Sequence, residues 1–249
     1  MTEHKYEKEL FLSILCEKCE RYDDMYDNVQ TFINNIDTAL NHEQQILISN
    51  AFKHKITPLR NALSIISIKE NTEMRKAYPS KEYDSYLNEY HNKLMKEFEL
   101  LCSTIIDIID TKLLPKKENN DESRMLYYKI KGDYLRYIIE NMKDEEKRKK
   151  YSNQAFNAYK SAMEAGKTLS WTNEIKLEMM LNFSVYYVDI IGNYSQGIAD
   201  AKKAVNNLEK ELTNVKENDE KFKGVRKIHK MLKENIEMWE IETEEIGKN

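Results

Sequence analysis

The chain has 249 residues, a formal net charge of −4 and 33% charged residues. No sequence-wide basic field is present to hold nucleic acid, and no apolar run approaches the ~18 residues that a membrane span needs. Three prolines and six glycines are few for this length, which favours long helices, and aromatic residues at 10% supply a core and argue against disorder.

The first residues, Met1-Thr2-Glu3-His4-Lys5, are polar, so no signal peptide is expected. An odd set of cysteines, Cys16, Cys19 and Cys102, fits a reducing compartment. The expected location is the cytoplasm, and also the nucleus.

Helical periodicity dominates and hairpin signals are missing. The pattern predicts an all-α chain of about nine antiparallel helices, at 3–19, 22–37, 42–72, 80–113, 121–142, 147–166, 173–191, 195–214 and 219–246. Cys16 and Cys19 form a C-x-x-C on the first of these. A redox pair needs a strand-to-helix context, and zinc needs two further ligands, so both are expected to be small packing residues. Ser80, following Pro79, can cap the fourth helix, and Pro115 closes it. Gly166 and Gly192 suit helix C-termini, and Asn218-Asp219 opens the last helix. No low-complexity linker interrupts the chain, so one domain over 1–249 is expected, with a short polar end from about 240. A weak echo between Tyr151-x-x-x-Ala155-x-x-x-Tyr159 and Tyr194-x-x-x-Ile198-x-x-Ala201 has tetratricopeptide-like spacing. The 34-residue period that would define such repeats is missing.

Enzyme motifs are scarce. The five histidines form no H-E-x-x-H and no Glu-x-x-His pair, and there is no G-x-S-x-G, P-loop or G-x-G-x-x-G. No catalysis, cofactor or metal is expected.

A binding constellation is visible instead. Lys53 and Arg60 are two helical turns apart on one face, about 10 Å along the axis. Arg offers a planar fork for phosphate and Lys a point charge. Arg136 and the Tyr137 hydroxyl can complete a set of four around one dianion. Leu181 and Val185 share a face of one helix, with Asn182 and Asp189 on the stripe beside it. In the last helix Ile228, Met231, Asn235 and Trp239 recur along one side. Asparagines on such stripes suit the clamping of an extended peptide backbone.

Arg21-Tyr22-Asp23-Asp24-Met25, Lys129-Ile130-Lys131-Gly132-Asp133-Tyr134-Leu135-Arg136-Tyr137, Leu181-Asn182-Phe183-Ser184-Val185 and Asn235-x-x-x-Trp239 together resemble the 14-3-3 family, in its order and spacing over nearly the whole chain. The resemblance implies a nine-helix antiparallel fold with a concave groove. It further implies a homo- or heterodimer that acts as a regulatory adaptor for phosphorylated client proteins. Phosphate would meet Lys53, Arg60, Arg136 and Tyr137. Asn182 and Asn235 would clamp the backbone. Leu181, Val185, Ile228, Met231 and Trp239 would form an apolar wall, flanked by the charged Lys129 and Asp189. Helices one and two would pair with three and four of a second subunit, with Arg21 and Asp24 facing Glu97 and Lys93, Tyr90 nearby, and Leu15 and Cys19 in the apolar contact. Neither nucleic acid nor a membrane is an expected partner.

Three departures from that family's pattern stand out. Thr57-Pro58 falls between Lys53 and Arg60, where a proline removes a helix hydrogen bond and kinks the helix. Lys227 stands where the apolar wall has leucine, and is expected to favour acidic residues beside the phosphosite. Only ten residues follow Trp239, with Glu240, Glu242, Glu244 and Glu245 expected in the last helical turns, so self-inhibition by a tail is not expected. The segment Trp171-Thr172-Asn173-Glu174 also lacks the family's proline-containing entry to the seventh helix. The alternative is a divergent helical, tetratricopeptide-like scaffold that binds partners without phosphate.

Overall fold

A computed structural model describes residues 7–67, 76–78, 80–213 and 219–246. The expected helical residues 3–6, 68–72 and 214, with Pro79, Asn218 and the last three residues, lie outside them. Nine long α-helices run through the described residues: α1 (Glu7–Lys18), α2 (Tyr22–Asn35), α3 (His42–Ser67), α4 (Lys81–Ile108), α5 (Asp121–Asn141), α6 (Glu145–Ala165), α7 (Glu174–Val185), α8 (Tyr194–Leu212) and α9 (Lys223–Ile246). No strand occurs among them, so the all-α expectation holds. None of these helices is long and apolar enough to cross a membrane.

Helix ends follow local chemistry. Asn41 and Gln44 satisfy each other's backbone N–H at the start of α3, at 3.0 and 2.9 Å. Ser80 accepts from the Tyr83 N–H at the start of α4, as expected. Asn173 accepts from the Lys176 N–H at 3.0 Å, and Asp219 from the Lys221 N–H at 3.1 Å. At the end of α1 the Arg21 N–H bonds the Cys16 carbonyl at 2.8 Å and the Glu20 N–H bonds that of Glu17 at 3.1 Å. Glu20 is left-handed there, with φ of 56°, in the place glycine usually takes in this C-terminal motif.

Two helices change winding. α4 continues as a π turn over Ile109–Leu113, and α7 as one over Tyr186–Ile190. The second carries Asp189, which was expected on the same stripe as Asn182. Wider i→i+5 winding rotates Asp189 relative to the α-helical residues before it, and Asp189 is exposed.

Contacts group the chain into two compact units, one of residues 1–119 and 137–149, the other of 120–136 and 150–249. In the first, α1, α2 and α3 pack on one another and α3 packs on α4, over a core that includes Met25, Val29, Phe52, Phe98 and Cys102. In the second, α7, α8 and α9 pack together around Tyr159, Phe183, Leu208, Leu232 and Trp239. Helix α5 contributes its residues through Arg136 to the second unit and Tyr137 onward to the first.

The cysteines are free thiols. Cys19 was expected to be a packing residue, but it is exposed. It follows the last residue of α1. Cys16 is half-buried and Cys102 buried.

Candidate functional site

In the first unit Lys53, Arg60 and Tyr137 come from α3 and the end of α5. α3 runs through Pro58 as one helix, so Lys53 and Arg60 keep their two-turn spacing. Lys53 is exposed. Arg60 is half-buried, with its guanidinium carbon 3.9 Å from the centroid of the Tyr137 ring and its Nη2 3.3 Å from Glu140 Oε2. Stacking against an aromatic face holds the planar fork in one orientation.

In the second unit the residues from Lys129 to Arg136 join a buried polar network. Asp133, 5% exposed, is its hub. Its Oδ1 accepts from the Tyr159 hydroxyl at 2.7 Å and from Asn182 Nδ2 at 2.9 Å. Its Oδ2 lies 3.2 Å from Lys129 Nζ, which also pairs with Glu178 at 3.1 Å. Burial works against the Lys129 charge, but Asp133 and Glu178 outweigh it and raise its pKa. Arg136 is buried and its Nε donates to the Tyr159 hydroxyl at 3.4 Å. Burial, then the Asp133 charge, push the Tyr159 hydroxyl pKa well above its ordinary value, so Tyr159 stays a neutral donor. Gly132 is required beside it, since a Cβ there would sit 2.8 Å from the Tyr159 ring.

The network fixes one expected clamp, Asn182, from behind. The other, Asn235, is half-buried on α9. Of the expected apolar wall, Leu181, Ile228 and Trp239 are buried and Val185 is half-buried. Met231 differs, being 42% exposed. Lys227, next to Ile228, is exposed. α9 carries Glu240, Glu242, Glu244 and Glu245 within its last turns, as expected. Near the altered entry to α7, the Lys176 ammonium donates to the Leu169 carbonyl at 2.5 Å and lies 4.4 Å from the Trp171 ring centroid.

Among the residues expected at a subunit contact, Leu15, Cys19 and Tyr90 are exposed, as are Lys93 and Glu97. Arg21 Nε pairs with Asp24 of its own chain at 2.8 Å. Phe11, Ile14, Tyr83 and Tyr86 in the same unit are also exposed. No group of three or more His, Cys, Asp or Glu side chains among the described residues comes together as a metal-binding set.

Four residues of this arrangement escaped the sequence reading: Asp133, Tyr159, Glu178 and Glu140. Asp133 had a signal, its i,i+4 spacing from Lys129 on the same helix. Tyr159 was noticed only as part of the weak internal echo. Glu178 and Glu140 carry no mark that separates them from other surface carboxylates.

The profile of the 14-3-3 protein family matches residues 12–240. A 14-3-3 protein of Giardia intestinalis is 32% identical over 230 residues, 92% of this chain and 91% of its own length. The 14-3-3 protein I of Plasmodium falciparum is 35% identical over 234 residues, 92% and 87% of the two chains. The checkpoint signal transducer rad24 of Schizosaccharomyces pombe is 31% identical over 245 residues, 98% and 88%. A match of this length, spanning both units and every expected site residue, makes the chain a member of the 14-3-3 family.

Proposed function

We propose that this chain is a non-catalytic adaptor of one domain that binds phosphoserine or phosphothreonine segments of client proteins. The client phosphate meets Lys53, Arg60, Arg136 and Tyr137. Asn182 and Asn235 hold the client backbone, and Leu181, Val185, Ile228, Met231 and Trp239 take its apolar side chains. The observation that carries this reading is the Arg60 guanidinium stacked on Tyr137: two of the four phosphate ligands are already in contact before any ligand arrives. A phosphate carries about −1.5 to −2 charge at pH 7 and offers three acceptor oxygens, which suits three cations and a hydroxyl. An unphosphorylated serine brings no charge to these groups, so discrimination follows from charge. One relative is named a checkpoint signal transducer, which agrees with a regulatory role.

The protein works as a homo- or heterodimer in the cytoplasm, through Leu15, Cys19, Arg21, Asp24, Tyr90, Lys93 and Glu97. Exposed apolar side chains on α1 and α4 support that contact. Twofold symmetry then lets one dimer engage two client sites.

The test is fluorescence anisotropy with a labelled Arg-Ser-x-Ser-x-Pro peptide, with and without phosphate on the second serine, at two salt concentrations. Phosphate-dependent binding that weakens with salt and disappears in Arg60→Glu is expected. Equal binding of both peptide forms overturns this reading in favour of a phosphate-independent scaffold.

A further inference from the structure

Pro58 has a consequence that family membership does not supply. The three prolines of the chain follow Thr57, Tyr78 and Leu114. Thr57 is therefore the single Ser or Thr in the sequence that directly precedes a proline. Leu59 and Arg60 extend it to Thr-Pro-x-Arg, the form that proline-directed protein kinases accept: a hydroxyl, a residue without N–H, and a cation two positions beyond.

Thr57 and Pro58 are both exposed on α3, and two features weaken that turn. Pro58 has no N–H to offer the His54 carbonyl, one turn earlier. The Thr57 hydroxyl donates to the Lys53 carbonyl at 2.6 Å, a back-bond that competes with the helix ladder. A kinase needs its acceptor segment extended, and this turn opens more readily than an intact one.

Lys53 lies four residues before Thr57 and Arg60 three after, so both cations neighbour it on one helix face. We propose that Thr57 is a phosphorylation site for a proline-directed protein kinase, and that its phosphate binds Lys53 and Arg60 of the same helix, occupying the cations that receive a client phosphate. In the transfer, Thr57 Oγ attacks the γ-phosphorus of ATP, the bond to the ADP oxygen breaks, and the hydroxyl proton passes to the kinase's base. The new dianion cannot donate to the Lys53 carbonyl, and turns toward the two side chains. Arg60, on the C-terminal side of the anion, stands in the favourable order for a helical ion pair. The inhibitory effect on clients rests on the adaptor reading above; the modification itself does not.

The experiment treats the full chain with a proline-directed kinase and ATP, and maps the phosphate by mass spectrometry. One phosphate on Thr57, and none on Thr57→Ala, is expected. The ³¹P resonance should titrate below the about 6 of an unperturbed phosphate, and Lys53→Gln, which leaves Thr-Pro-x-Arg intact, should move it back toward that value. Affinity for the phosphopeptide should fall at least about ten-fold, the equivalent of 1.4 kcal/mol. A phosphate elsewhere, no phosphate, or a phosphothreonine with unshifted titration overturns the proposal. If the unmodified chain binds no phosphopeptide, the adaptor reading fails, while the mapping and the ³¹P titration still decide the modification.

Discussion

Arg60 Nη2 lies 3.3 Å from Glu140 Oε2 while its guanidinium carbon rests 3.9 Å from the Tyr137 ring centroid. α3 and the last turn of α5 thus meet through a cation that is both oriented and partly neutralised. The ring keeps the fork in place, and the carboxylate is the competitor that an incoming phosphate must displace.

Glu140→Gln should therefore tighten phosphopeptide binding. Half-exposed ion pairs contribute about 0–1 kcal/mol, so the expected gain is roughly two- to five-fold. Anisotropy titration of both proteins measures it, and weaker binding by the variant would mean that Glu140 orients Arg60 instead of competing for it.

Asp133→Ala should destabilise the second unit more than any surface substitution. It leaves the Tyr159 hydroxyl and Asn182 without their acceptor and Lys129 with Glu178 alone. Removing one partner of a buried ion pair costs about 3–5 kcal/mol. Tyr159→Phe removes two bonds of the network, the one to Asp133 and the one from Arg136, and should cost about 2 kcal/mol. Urea unfolding of the two variants gives the order, and equal losses would show that Asp133 is not the hub.

Lys227 is exposed beside buried Ile228, so its charge acts through solvent. In a phosphopeptide library, Lys227→Leu should lose a preference for acidic residues beside the phosphosite, by roughly two- to five-fold. Identical preferences in the two proteins would mean that the ammonium simply extends into water.

Thiol titration at pH 8 should separate the cysteines. Burial pushes the Cys102 pKa up to about 12, and the side chain is fully covered, so it should react only when denaturant opens the core. Exposed Cys19 should react in the native protein. Fast labelling of Cys102 without denaturant would contradict the packing of α4 on α3.

His91, 4% exposed on α4, has its pKa lowered first by burial and then by the Lys143 charge. Lys96, Glu99, Asp144 and Lys147 also line the cleft around it. With a folded pKa below the unfolded value of about 6.5, the unfolded chain takes up the proton first. His91 thus stabilises the fold above about pH 6.5, and that contribution is lost as pH falls toward its folded pKa. The midpoint of thermal unfolding should drop on acidification below pH 6.5, and less steeply in His91→Gln. Parallel curves would place the pH dependence elsewhere.

Much of the architecture was legible in the chain. The spans of α2, α5 and α9 follow from apolar spacing, and Ser80, Asp219 and Gly166 mark ends through hydrogen bonds or turns within a few residues of themselves. The site was legible where its residues repeat along one helix, as Lys53 and Arg60 do. The π turn that carries Asp189 depends on how α7 packs, which no local pattern announces.

By itself, then, the sequence determined the all-α architecture, helix ends such as those at Ser80 and Asp219, and the family, because periodicity, capping and residue order act over short distances along the chain. Tertiary structure decided which cations are free and which are held. Arg60 meets a carboxylate 80 positions away, Asn182 shares Asp133 with Tyr159, and Cys19 faces solvent although its neighbour Cys16 is half-buried. Those outcomes depend on the packing of whole helices, where a carboxylate's partner is set by distance in space and by the cost of burying it alone.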